Sequence, residues 1–435
     1  MQQHRPFRPA LETLEDRTVP ATIRFVSGSL FISNQNAALT LAPQGGTVVK
    51  VTDGALVTTF TGVGNIYVTG TNKADTVTVD TAAGGFNSNL SFNMGNSNDV
   101  VNLVGANPIL GNVMIMGGRG NDTAVFSGAA YGNVLLQDML GTADTAVFGG
   151  GQGTQFLGNI TTLGANIVVF GANTTVNGRT TVLNINESST SVAVDSVTTT
   201  FGGDVQIRTG SGNDTVVATG IYLGNLTVDV GGAILSNTVV LTGAVNGNAS
   251  ISGGTGADIF TVALTPGNAV AGNLSLNAGD GDNSLNLAAG DVSGNLSVQV
   301  GNGNNTYSPF GMNVAGSAQF RLGNGNNTLA FASGSIGGDL SVEAGNGTNV
   351  TTLTGTTLAG RLRYRSGNGT NTLNVTPAVA TLFNLDVLFG NGNDTFTANA
   401  NATLNGTING GTGTDTFVQG GAILVPTLTI ASFEA

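Results

Sequence analysis

From Thr22 onward, short runs of alternating apolar and polar residues return at a fixed distance along the chain. Leu274-Ser275-Leu276, Leu296-Ser297-Val298 and Leu340-Ser341-Val342 are three such runs, each opened by a Gly-Asn or Gly-Asp pair. Strict alternation is the period of a strand with one buried face. A second run follows each first one after a turn, as in Ser284-Leu285-Asn286-Leu287 and Thr328-Leu329-Ala330-Phe331. A third, shorter side carries one apolar residue per copy: Val292, Val314, Ile336 and Leu358. The parity places Leu296, Val298, Phe320, Leu340, Val342, Leu362 and Tyr364 inside. It places Ser297, Gln319, Ser341 and Arg363 outside.

Between the first and second runs lies a glycine-asparagine turn. It reads Gly301-Asn302-Gly303-Asn304-Asn305, Gly323-Asn324-Gly325-Asn326-Asn327 and Gly345-Asn346-Gly347-Thr348-Asn349. From Asn283 to Asp394 its last residue recurs at spacings of 22, 22, 22, 22 and 23. The register extends forward to Asp415. Backward it passes Asp258, Asn237, Asp214, a degenerate stretch near Ser189, Asn166, Asp144, Asp122, Asp99 and Asp75, making 16 copies. No single copy can bury its own apolar side chains, so the copies must stack. The expected fold is all-β: one right-handed parallel β-helix of about 22 residues per coil and roughly 16 coils. At about 4.8 Å per coil the rod is roughly 75–80 Å long. Residues 22–60 read as irregular end coils, 61–420 as the repeats and 421–435 as an end segment.

Composition adjusts this picture little. The apolar fraction of 40% and charged fraction of 9% argue against disorder despite 68 glycines. There are no cysteines, which removes disulfides and thiol chemistry. The net charge of −12 argues against nucleic acid as a partner. No apolar run reaches the length of a transmembrane helix.

The recurring Asn/Asp shares the parity of the inward residue two positions later, so its side chain points into the turn. Stacked asparagines can donate to and accept from one another. Stacked aspartates would repel unless neutralised. Several copies also fit the nonapeptide G-G-x-G-x-D-x-U-x: Gly253-Gly254-Thr255-Gly256-Ala257-Asp258-Ile259-Phe260 and Gly410-Gly411-Thr412-Gly413-Thr414-Asp415-Thr416-Phe417. Gly117-Gly118-Arg119-Gly120-Asn121-Asp122 comes close. These turns resemble the calcium-binding repeats of RTX-type (hemolysin-type) exoproteins. The resemblance implies Ca2+ held by aspartates and turn carbonyls, which are hard oxygen ligands. The candidate metal residues are Asp394 and Asp415 first, then Asp75, Asp99, Asp122 and Asp144, with Asp214 and Asp258. The motif appears here once per 22 residues instead of every nine, so only one side of the solenoid could bind.

Outward charges can be aligned between coils. Arg321, Glu343 and Arg365 share a position, Arg361 falls next to Asp339, Arg363 next to Asp386, Arg179 next to Asp204 and Arg208 next to Asp229. This reads as a cross-strand charge ladder. A catalytic or sugar-binding strip is the alternative, since β-helix lyases use arginine. The sole histidine is His4, so the repeats hold no histidine acid/base pair. The expected catalytic residues are therefore none.

Residues 1–21 differ from the rest and read as an export or sorting tag, or a flexible tail. Pro9 to Arg17 suits a short helix. The string from Arg8 to Ala21, containing Leu11-Glu12-Thr13-Leu14-Glu15-Asp16-Arg17-Thr18-Val19-Pro20-Ala21, resembles the N-terminal tag of planctomycete surface proteins. That resemblance implies export. The reading is thus a non-catalytic, secreted or cell-surface solenoid with a structural or adhesive role, whose partners are extracellular polysaccharide or other surface proteins. A calcium-binding exoprotein is the alternative, and a β-helix polysaccharide lyase or hydrolase a second one.

Overall fold

The structure, a computed structural model, describes residues 21–33, 38–150, 153–184, 189–233, 235–264 and 269–434. The short helix expected at Pro9 to Arg17 and the tag around it lie outside these residues. Parallel coils stack into a β-solenoid of about 16 turns with roughly 22 residues each, and no described residue is helical. Each strand of the first face pairs with its equivalents one period away. Leu274, Leu296, Ala318, Leu340, Leu362 and Leu385 are successive register partners. This face is a parallel sheet of 20 strands closed off by one antiparallel hairpin. The second and third faces merge into another sheet, because strands such as Ser284–Val292, Thr306–Val314 and Thr328–Ile336 turn the corner in one piece.

The corner that these strands turn needs a left-handed backbone. The equivalent corner residues Ala289, Gly311, Ser333 and Gly355 all have positive φ, between 45° and 65°. No side chain crowds that corner, so Ala and Ser share it with Gly at a modest cost. The turn glycine is a different case. Gly325 has φ 123°, and a Cβ there would meet the carbonyl oxygen of Gly303, one coil earlier, at 2.1 Å. The same approach recurs at Gly347, Gly369 and Gly392. Close backbone stacking at this turn is why glycine repeats there.

The interior is apolar and continuous. Leu296, Val298, Phe320, Leu340, Val342, Leu362 and Tyr364 are all buried, as the parity requires. Of the expected outward residues, Arg363 is exposed, while Ser297, Gln319 and Ser341 are half-buried. In a stacked sheet the coils above and below shield short outward side chains. Rings also stack along the axis: Phe126, Phe148 and Phe170 lie with successive centroids 5.2 and 5.0 Å apart.

The first end departs from irregular coils. Thr22–Val26 pairs antiparallel with Ser29–Ser33, and Leu39–Pro43, Val49–Asp53 and Leu56–Phe60 form an antiparallel meander. Hairpins turn the chain back over the first coil and close an edge that would otherwise invite another strand. At the other end Ile423–Leu424 and Thr429–Ala431 add to Ala402–Asn409 as a last partial coil.

Candidate functional site

The glycine-asparagine turn sets one buried polar side chain per coil on the inner side of the corner. All eight aspartates marked by the sequence fall in this single column, each at most 5% exposed. The degenerate stretch near Ser189 resolves to one residue. The degenerate copy contributes Thr190, which is buried, whereas Ser189 is exposed and belongs to an outer row.

A hydrogen bond links almost every pair of neighbours in the column. Where the earlier residue is Asp, its backbone N–H donates to Oδ1 of the next coil's residue. Asp75 donates to Asp99 at 2.8 Å, Asp99 to Asp122 at 2.9 Å and Asp122 to Asp144 at 2.7 Å. Asp214 donates likewise to Asn237, Asp258 to Asn283 and Asp394 to Asp415. In the asparagine stretch the side-chain amide takes over. Nδ2 of Asn305, Asn327 and Asn349 donates to Oδ1 of Asn327, Asn349 and Asn371 at 2.8–2.9 Å. The same Nδ2 reaches carbonyls of its own turn, as from Asn327 to Gly323 at 2.9 Å and Gly325 at 3.2 Å. The expected asparagine ladder is therefore present.

An aspartate cannot copy the second half of this pattern. Its Oδ2 stands in place of an amide that donates, and an ionised carboxylate only accepts. Three coils supply a donor. Asp75 Oδ2 accepts from the N–H and Oγ1 of Thr71, Asp144 Oδ2 from the N–H of Gly141, and Asp214 Oδ2 from Oγ1 of Thr209. In the other five, Asp99, Asp122, Asp258, Asp394 and Asp415, Oδ2 is buried without a partner. Two adjacent pairs of such coils exist: Asp99 with Asp122, and Asp394 with Asp415. Glycine makes room for the oxygen in several coils. A Cβ at Gly117, Gly253 or Gly410 would strike Oδ2 of Asp122, Asp258 or Asp415.

The electrostatics follow from this. Burial pushes the Asp99 carboxyl up to about 7; the N–H of Asp75 opposes it, and the charges of Asp122 and Asp75 add to it. Burial takes Asp258 up to about 6, against hydrogen bonds from Asn237 and Gly254. Burial likewise raises Asp122, Asp144, Asp214 and Asp394. An unmet buried oxygen of this kind is satisfied by a proton, which turns the acid into a donor like asparagine, or by a cation. Among the described residues no three His, Cys, Asp or Glu side chains converge as a metal cluster does. A cation in this column would be held by two carboxylates at most, with turn carbonyls completing its shell.

Comparison of the chain with protein-family models, with curated proteins and with solved structures finds no match.

The outer surface carries further rows that the sequence signalled by its Gly-Asn pairs but that the inward column overshadowed. Oδ1 of Asn89 accepts the N–H of Asn112, Asn133 that of Asn159, and Asn159 that of Arg179. The row resumes from Asp204 through Asn225, Asn248, Asn273 and Asn295 to Ser317. Here the later coil donates to the earlier one, the reverse of the inner column. A second exposed row joins Asp280, Asn302, Asn324, Asn346 and Asn368.

The charge ladder needs partial correction. Arg208–Asp229 at 3.3 Å, Arg321–Glu343 at 3.5 Å and Arg363–Asp386 at 3.4 Å are ion pairs as aligned. Arg365 reaches Asp386 at 2.7 Å instead of Glu343. Arg361 meets Asp339 through its backbone N–H, and the Arg179 guanidinium hydrogen-bonds to Gln206. Long side chains lean along the strand, so a shared register position does not fix the partner.

Proposed function

We propose that this chain is an exported, non-catalytic rod that spaces or displays material at the cell surface. The observation that carries the reading is the coil-to-coil hydrogen bonding of the turn column, from Asp75 to Asp415, beneath an unbranched apolar core. Coils are pinned to their neighbours by backbone pairing and, almost throughout the column, by a buried side-chain bond. Such stacking suits a stiff spacer better than a cleft that opens and closes. The N-terminal string's resemblance to planctomycete surface-protein tags supports export. The acidic balance disfavours nucleic acid, and extracellular polysaccharide or other surface proteins are the partners that fit. No helix among the described residues is long and apolar enough to cross a membrane. Fractionation of cells producing the full chain, beside cells producing a chain that starts at Thr22, tests this. The full chain should reach the surface and the shortened one should not. A full chain confined to the cytosol would refute the reading.

A second reading is calcium binding of the RTX type. The buried, unpartnered Oδ2 atoms of the adjacent pairs Asp394/Asp415 and Asp99/Asp122 favour it. Two carboxylates about 4.8 Å apart with glycine carbonyls beside them are suitable hard ligands. Asp75, Asp144 and Asp214 are weaker candidates, since each second oxygen already accepts a hydrogen bond, and Asp258 has asparagine neighbours. The metal's role would be structural, neutralising the column. Isothermal titration of the intact protein with calcium should show uptake lost on replacing Asp394 and Asp415 by Asn. No uptake at about millimolar calcium, the weak end of extracellular sites, would end this reading.

A further inference from the structure

The corner between the third and first faces is open to solvent along the rod. It carries a depression of about 460 Å3 lined by Asn112, Met114, Asn133, Leu135, Asn159 and Thr161, among others. A second depression, of about 570 Å3, lies at the same place in later coils, against Asn384, Asp386, Asn405 and Thr407. The strand register makes these equivalent positions.

In the earlier coils this corner is uncharged. One row is amide: Asn65, Asn89, Asn112, Asn133 and Asn159. The row beside it is Tyr67, Ser91, Met114, Leu135 and Thr161. Tyr67 opens this stretch and stacks on Phe31, its register partner in the preceding strand, with centroids 5.0 Å apart and planes within 11°. Both rings are about 40% exposed. Leu110 and Leu157, each two residues before an amide of the first row, are nearly half exposed.

We propose that this corner, from Tyr67 to Thr161, binds an extended neutral polysaccharide lying along the rod, a β-linked hexose chain. The assignment rests on the surface-display reading and names its partner. Three features select the occupant. The contact set is an amide beside a hydroxyl or apolar side chain, with an aromatic ring at one end. Amides exchange hydrogen bonds with sugar hydroxyls, and flat apolar surface packs on the C–H face of a pyranose. The set recurs every coil, at about 4.8 Å. A homopolymer with a similar advance per sugar can repeat its contacts in step, which a folded protein surface cannot. Finally, the two rows hold no charge and the protein's net charge is −12, which disfavours an acidic glycan.

Isothermal titration of the full chain with cellohexaose and with soluble mixed-linkage β-glucan tests this. Polygalacturonate and α-linked dextran serve as controls. Both β-glucans should bind, the controls should not, and Tyr67→Ser should weaken binding by about tenfold, a 1.4 kcal/mol loss. Leu135→Glu, on an outward position, should weaken it independently, with unchanged melting confirming that each variant is folded. No binding of either β-glucan, preference for polygalacturonate, or binding indifferent to both substitutions would overturn the proposal. Surface delivery without β-glucan binding would refute this groove alone. Binding by a chain that never leaves the cytosol would refute the display reading alone.

Discussion

The backbone N–H of Asp394 donates to Oδ1 of Asp415, one coil further on, at 2.8 Å, and Oδ2 of both residues is buried without a partner. The bond continues the asparagine ladder that reaches Asp394 from Asn371. The orphaned oxygens break its chemistry. Replacing Asp394 and Asp415 together by Asn should therefore raise the metal-free stability of that end at pH 7.5, by about 1–3 kcal/mol for each buried group satisfied. Hydrogen exchange of the last coils, measured in the presence of a chelator, would show slower opening. Faster opening would mean that the oxygens are already satisfied as they stand.

The column should make the metal-free protein more stable in acid. Burial raises the folded-state carboxyls of Asp99 and Asp258 to about 7 and about 6, above the unfolded value of about 3.9. The folded state thus holds protons that the unfolded chain releases. That stability is complete below about pH 4 and is lost as pH rises through 6 and 7. Thermal melting in chelator should fall between pH 4.5 and 7.5. If calcium occupies the pairs, adding it at pH 7.5 should restore the loss and have little effect at pH 4.5.

Asp214 offers an internal control. Its Oδ2 accepts a hydrogen bond from Thr209 at 2.7 Å. Thr209→Val keeps the shape and removes the donor, leaving a sixth orphaned oxygen. The expected loss is about 1–3 kcal/mol at pH 7.5. Asp214→Asn in the same background should recover part of it, because the amide can donate to a turn carbonyl. Chemical denaturation of the single and double variants measures both steps.

Much of this was legible in the chain. The alternation around Leu296 and Leu340, and the recurrence from Asn283 to Asp394, specify parallel coils and the inner column directly. The fate of each second oxygen was not legible. It depends on whether a donor such as Thr71, Gly141 or Thr209 happens to stand beside it, and nothing about the aspartate itself reports that. The degenerate copy could be placed only near Ser189, because Ser189 and Thr190 are both hydroxyl residues and only one can face inward. The outer asparagine rows were visible as Gly-Asn pairs, but an exposed amide looks like any solvated polar residue until register stacks it. The terminal hairpins escaped because an antiparallel cap shows the same alternation as a coil.

Two glycines should respond very unequally to the same change. Gly325→Ala puts a methyl 2.1 Å from the Gly303 carbonyl oxygen at φ 123°, so the turn must open and several coils lose register. Gly311→Ala meets nothing closer than 3.9 Å at φ 64°, where Ala289 already occupies the equivalent corner. The first should lower the melting temperature steeply, and the second should cost no more than about 1–2 kcal/mol. Equal effects would mean that the turns are not stacked so closely.

Carboxyl carbon NMR of the metal-free protein labelled at the aspartate Cγ tests the column most directly. Assignment by single Asp→Asn substitutions would follow Asp99 and Asp258 from pH 3 to 8. Both should remain protonated at pH 5, where surface residues such as the exposed Asp204 and the half-buried Asp386, held low by hydrogen-bond donors, are fully ionised. Titration of Asp99 and Asp258 near pH 4, alongside the surface acids, would contradict the buried and unsatisfied column described here.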